Sequence, residues 1–204
     1  MTKRDPGKFE RVERDFYRTP PKAVHRLMPW IRKDLTFAEP MCGDGAIVGA
    51  LSRHGWRCGW ASDIEFQMPF DCGNQVVTVT RKDVLKVTKQ DLAGCQIIVS
   101  NPPWPRPGKS GQPTVEIIEH LMRLRRTWLL LSADFAHCGY ARTLLAKCRW
   151  IISVGRVSWM GNNVSGLDNC AWYCFDRTFD QGYTQFVNTP LTSSFPYGLI
   201  DDIF

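Results

Sequence analysis

Histidine is scarce in this chain, with four in 204 residues, and none of the eight cysteines, at 42, 58, 72, 95, 138, 148, 170 and 174, stands in a Cys-x-x-Cys pair. That spacing supplies neither a zinc framework nor the disulfide scaffold of a small secreted domain. The thiols read as buried and reduced, as in a cytosolic protein. No apolar run approaches the ~20 residues of a membrane-spanning helix, and Met1-Thr2-Lys3-Arg4-Asp5 leads into no apolar stretch of the kind a signal peptide needs. A cytoplasmic location with no membrane partner is expected. Internal repeats are missing, and so is the full Gly-x-Gly-x-x-Gly dinucleotide pattern, because position 48, after Gly43 and Gly45, is valine. That argues against a nicotinamide cofactor.

What is present is enough for one globular domain over 1–204, since 44% of the residues are hydrophobic. Residues 1–18 read as a polar arm, either bare surface or a segment that touches phosphates, and 178–204 as a tail without assigned structure. The formal charge of +6 favours an anionic partner such as nucleic acid, although ordinary surfaces also carry such an excess.

The most informative stretch is Ser100-Asn101-Pro102-Pro103-Trp104. It follows the apolar run Gln96-Ile97-Ile98-Val99, which reads as a buried strand, and its prolines cannot continue a sheet ladder. An amide, a backbone carbonyl and a flat aromatic are therefore presented at a strand's carboxyl end, where open α/β sheets bind ligands. An exocyclic amine has a delocalised lone pair and is a poor nucleophile. The Asn101 side-chain oxygen and the Pro102 carbonyl suit its two N–H bonds, and Trp104 suits its flat ring. The alternative is a proline-rich loop with a core tryptophan.

Upstream, Thr19 reads as the cap of a helix starting at Pro20 or Pro21, with Ala23, Val24, Leu27 and Met28 on one face and Pro29 at its end. Leu35–Glu39 reads as a strand, Pro40–Gly45 as a tight turn and Ala46–His54 as a helix. Strand, glycine turn and helix make a nucleotide-binding unit. Arg57–Ser62 reads as a second strand ending at Asp63, 18 positions after Gly45. That carboxylate can meet ribose hydroxyls or simply form a turn. Val76–Thr80 reads as a third strand before Asp83.

Downstream, the loop 104–113 carries Arg106 and Lys109, which either close over a substrate and hold a phosphate or belong to a connector. Thr114 reads as the cap of a helix with Val115, Ile118, Leu121 and Met122 on one face. Then come a strand at 128–132, a helix at 137–147, and strands at 150–154 and 171–176. The expected fold class is α/β, with seven mostly parallel strands, helices on both faces and a C-terminal hairpin.

In order and spacing these motifs resemble S-adenosylmethionine-dependent amino-methyltransferases, including the DNA adenine-N6 enzymes. Asn101-Pro102-Pro103-Trp104 resembles their Asn/Asp-Pro-Pro-aromatic signature, and Glu39-Pro40-x-x-Gly43-x-Gly45 their acidic-Pro-x-x-Gly-x-Gly motif. Tyr17-Arg18-Thr19-Pro20 resembles their Tyr-x-Thr-Pro segment. The motifs run from Tyr17 to Trp104, with Asp63 and Asp83 between the glycine turn and Asn101, and the resemblance covers about 15–176. It implies a Rossmann-like class I methyltransferase of compact, phage-like form, working in a bacterial or phage-infected cytoplasm.

The resemblance implies S-adenosylmethionine held by Tyr17, Thr19, Pro20, Glu39, Pro40, Gly43, Gly45, Asp63, Asp83 and Asn101. The catalytic group would be Asn101, Pro102, Pro103 and Trp104. Trp104, Arg106, Lys109 and Trp159 would meet the substrate, although Trp159 also reads as an ordinary core residue. The expected reaction is methylation of adenine N6 in flipped DNA. With no room for a recognition domain in the 104–114 loop or the tail, specificity should be short, loose or supplied by a partner. RNA or protein glutamine are alternative substrates, though a glutamine enzyme would carry tyrosine for Trp104. An inactive nucleic-acid-binding module is a further alternative, against which the intact Asn101 and Gly-x-Gly argue.

Overall fold

The computed structural model describes residues 18–65, 67–104, 111–159, 169–180 and 182–188. Ten strands occur among them: β1 (Thr36–Glu39), β2 (Arg57–Asp63), β3 (Phe70–Asp71), β4 (Val76–Val77), β5 (Val79–Arg81), β6 (Ile97–Ser100), β7 (Arg126–Ser132), β8 (Cys148–Arg156), β9 (Asn169–Phe175) and β10 (Gln185–Val187). The α-helices are α1 (Pro21–Leu27), α2 (Ala46–Arg53), α3 (Gln112–Leu124) and α4 (Arg142–Leu145).

Eight strands form one sheet in the order β10-β8-β9-β7-β6-β1-β2-β5. Only β9 runs against its neighbours, β7 and β8. The other pairings are parallel, so β1, β2, β5, β6, β7 and β8 all end at the same edge. Alternation along the strands divides the core in two. Phe37 and Val99 face the side covered by α1 and α2, whereas Ala38 and Ile98 face the side covered by α3 and α4. With both faces covered, β6 and β7 need continuous apolar runs, which Ile97-Ile98-Val99 and Trp128–Leu131 supply.

α1 is short, and distant side chains fix it to the sheet. Trp172 Nε1 donates to the Ala23 carbonyl at 2.8 Å and Arg26 Nε to that of Ser153 at 3.3 Å. The helix ends at Leu27, and Met28–Trp30 continue as a 3-10 turn around Pro29, as the proline predicts.

Several expectations need correction. The sheet has eight strands rather than seven, because the tail contributes β10, which extends the sheet beside β8. The expected strand at 76–80 is two pieces: β4 pairs with β3 in a small separate ribbon, and β5 pairs with β2. Thr19 does not cap α1, whose N-cap is Pro20, a residue with no side chain able to do so. Thr114 does not cap α3, which starts two residues earlier, at Gln112, with Pro113 in its first turn. The expected helix 137–147 is instead two 3-10 turns followed by the short α4. The first turn starts immediately after β7, where Ser132 Oγ accepts the Asp134 N–H.

Candidate active site at the carboxyl edge of the sheet

The glycine turn, Asp63, Asp83 and Asn101 all follow strands that end at the same edge. Glu39, at the end of β1, is 2% exposed. Its Oε2 accepts the Val48 N–H at 3.1 Å, satisfying a donor in the first turn of α2 from below. Burial pushes the Glu39 carboxyl well above its ordinary range, against the Val48 hydrogen bond, and the negative charges of Asp44 and Asp63 push it further.

Above Glu39, the chain turns through Gly43 (φ 49°) and Gly45 (φ 76°), a conformation that other residues rarely adopt. A Cβ on Gly45 would lie 2.6 Å from Phe70 Cδ2, so the Phe70 ring occupies that side of the glycine. At Gly45 the space is used by Phe70, and positive φ supplies the rest of the requirement.

Asp63, at the end of β2, takes one backbone donor on each oxygen: Gly43 N–H at 2.8 Å and Glu65 N–H at 3.0 Å. It is therefore a turn-former that also fixes the glycine loop. A carboxylate has about four acceptor positions, so capacity remains for a diol. Asp83 accepts the Leu85 N–H at 2.9 Å and caps a 3-10 turn just past β5. Cys42 lies in the same loop, and burial, helped by the charges of Glu39 and Asp63, pushes its thiol upward. It stays protonated and is a poor nucleophile.

Asn101 follows directly after β6. Its Nδ2 donates to Thr19 Oγ1 at 3.2 Å, while its Oδ1 is buried and has no hydrogen-bond partner among the described residues. An unpaired buried acceptor costs roughly 1–3 kcal/mol, so one held this way points to an absent donor. Residue 18 ties the amide to the glycine loop: Arg18 Nε lies 3.4 Å from Asp44 Oδ2. Since Arg18 and Thr19 are adjacent, the Asn101 amide and the loop flank the same dipeptide.

Pro102 is buried and Pro103 exposed. Trp104 Nε1 donates to the Leu130 carbonyl at 2.9 Å, which fixes its indole against β7. Trp159 stands edge-on to it, with ring centroids 5.2 Å apart and planes at 85°. Both rings pack partly on the core, which is the core role that the sequence allowed for Trp159.

The structure thus brings together Thr19, Asp63, Asn101, the glycine loop, Trp104 and Trp159 at one edge. Pro20 opens α1 and Pro40 follows Glu39, its carbonyl accepting the Ser62 hydroxyl at 3.2 Å. Tyr17, Arg106 and Lys109 lie outside the described residues. Sequence reasoning missed the Thr19–Asn101 bond, the Phe70 contact and the Leu130 anchor, which are tertiary contacts with no local signal.

The sequence matches no protein-family model and no curated protein. Solved structures do match in fold. The type IIG restriction endonuclease BpuSI shares 15% identity at a TM-score of 0.56, with 84% of this chain and 27% of that one covered. A modification subunit of a putative type I restriction enzyme from Vibrio vulnificus shares 11% at 0.54, over 86% and 48%. A putative RNA methyltransferase from Pyrococcus horikoshii shares 12% at 0.55, over 78% and 85%. The chain therefore spans about a quarter and half of the first two proteins. At these identities the likeness establishes the fold, which is that of the class I methyltransferases.

Proposed function

We propose that the protein transfers a methyl group from S-adenosylmethionine to the N6 amino group of adenine in DNA. The observation that carries this reading is the Asn101 Oδ1 atom, buried and without a donor at the carboxyl end of β6. An exocyclic amine supplies the missing N–H. The fold, and restriction–modification proteins among its structural neighbours, favour a nucleic-acid substrate and DNA in particular.

The residues fit the cofactor. Asp63 has acceptor capacity left for ribose hydroxyls, Asp83 lies just past the end of the neighbouring strand, and the Gly43–Gly45 turn is joined to Asp63 through the Gly43 N–H. Several carboxylates suit a cation. When bound, the cofactor supplies a methyl group on a sulfonium sulfur, whose C–S bond breaks as the new N–C bond forms.

The chain's own work is to hold and activate the amine. Asn101 Oδ1 accepts one N–H, and the Pro102 carbonyl accepts the other. Both bonds strengthen as positive charge develops on nitrogen, so they favour the transition state over the ground state. The excess proton leaves the nitrogen after transfer, and no cysteine nucleophile is required. Thr19 engages Nδ2 and so leaves Oδ1 as the free acceptor of the amide. Trp104 and Trp159 provide flat walls for a base taken out of its stack.

The test is incubation with methyl-labelled cofactor and, separately, duplex DNA, RNA and protein, followed by nucleoside and amino-acid analysis. Label in N6-methyldeoxyadenosine is expected. Label confined to RNA or protein would overturn the substrate assignment, and no label in any of them would overturn the activity.

A further inference from the structure

Two cations on separate elements are linked by one hydrogen bond at the carboxyl edge of the sheet. Lys22, in the first turn of α1, reaches across to the end of β8, where its Nζ donates to the Arg156 carbonyl at 3.2 Å, 134 positions away. Both residues are exposed. Neither forms an ion pair with a carboxylate among the described residues, and α1 has no acidic residue in its first turn. Arg18 differs, because it is occupied by Asp44.

Their position follows from the fold. β8 runs parallel to β6, so Arg156 is at the edge that carries Asn101. Lys22 is three residues beyond Thr19, the partner of Asn101, and Arg156 is three residues before Trp159, the partner of Trp104. Each half of the site thus has, among the described residues, a cation without an acid three residues along its own segment. The acceptor is the Arg156 backbone carbonyl, so the bond does not touch the Arg156 guanidinium, and a carbonyl does not neutralise the Lys22 charge. An anion does.

We infer that Lys22 and Arg156 form a phosphate clamp that holds the nucleic-acid backbone beside the reactive base. The inference rests on the function proposed above and gives that substrate its grip. Phosphate contacts fix register without reading sequence. A clamp at this place would hold one stretch of backbone near an extruded base, offsetting part of the stacking energy that the base gives up when it leaves the helix.

The experiment uses the full chain and short fluorescent oligonucleotides, duplex and single-stranded, with affinity measured across a salt series. Lys22→Gln and Arg156→Gln should each lower the salt slope of binding by about one, and the double variant by about two. KM for the oligonucleotide should rise, while cofactor affinity remains that of the parent. Arg177→Gln, an exposed cation after β9 at the opposite end of the sheet, serves as the control and should leave the slope unchanged. If the parent methylates nucleic acid but the double variant keeps the parental slope, or Arg177→Gln lowers it equally, the clamp is wrong and the function stands. If the parent binds an acidic peptide as tightly as DNA and labels only protein, function and clamp both fall.

Discussion

The Asn101 amide is held by Thr19, 82 positions earlier in the chain, through an Nδ2 to Oγ1 hydrogen bond of 3.2 Å that leaves Oδ1 facing no donor among the described residues. Thr19 therefore sets the orientation of Asn101 rather than capping α1. Thr19→Val keeps the shape and removes the acceptor. Methyl transfer should slow roughly five- to tenfold, the scale of one net hydrogen bond, with Thr19→Ser restoring it. Equal rates for the valine variant and the parent would show that the amide needs no such support.

Gly45 meets two demands together, a φ of 76° and the Phe70 ring 2.6 Å from where a Cβ would be. Gly45→Ala should lose about 1–2 kcal/mol from the backbone alone, plus the cost of displacing Phe70, and should weaken cofactor binding. Adding Phe70→Ala relieves only the overlap, so melting temperature in the double variant should recover in part. Full stability in Gly45→Ala would contradict the packing.

The buried Glu39 carboxyl has its folded pKa raised by burial. The folded state then holds a proton that the unfolded chain releases above the usual value of about 4.3. Stability from this group is complete below that value and declines as pH rises through the raised pKa. Glu39→Gln retains an acceptor for Val48 without a charge. Melting temperature followed from pH 5 to pH 8 should fall less in the variant than in the parent; parallel profiles would refute a buried, proton-holding Glu39.

At the opposite end of the sheet, Asp176 joins three strands. Its Oδ2 lies 2.9 Å from Arg126 Nη2 and 3.8 Å from Arg149 Nη1, and its Oδ1 accepts from Thr178. Burial pushes the carboxyl upward, but the Thr178 hydrogen bonds and the Arg126 charge outweigh it and hold the pKa below its ordinary value. This contribution is present above the unfolded pKa near 3.9 and disappears as pH falls through the lower folded one. Asp176→Ala leaves two largely buried guanidinium groups without their acid and should cost about 3 kcal/mol, the scale for breaking a buried pair. Denaturant unfolding at neutral pH measures this, and a loss under about 1 kcal/mol would assign the cluster to the solvated surface.

How much of this was legible in the sequence depended on how local its cause was. β1, β2, β6 and β7 could be read from apolar runs ended by Pro40, Asp63, Pro102 and Ser132, because strand ends are written in residues next to them. The placement of β9 between β7 and β8 could not, since it is decided by long-range pairing. The same is true of β10, whose Gln185-Phe186-Val187 is too short to announce a strand and forms one only against β8. Pro113 does carry a local signal for the start of α3, and giving it more weight than Thr114 would have placed that start correctly. In the site, Asn101, Asp63 and the glycine turn were visible as motifs. Thr19 was visible too, but not its hydrogen-bond partner.

The central claim is that Asn101 Oδ1 receives the hydrogen of the amine to be methylated. Single-turnover methyl transfer by Asn101→Ala, with cofactor and oligonucleotide both saturating, tests it most directly. The rate should fall about a hundredfold or more, as when one preorganised transition-state hydrogen bond is deleted. An undiminished rate would contradict the account.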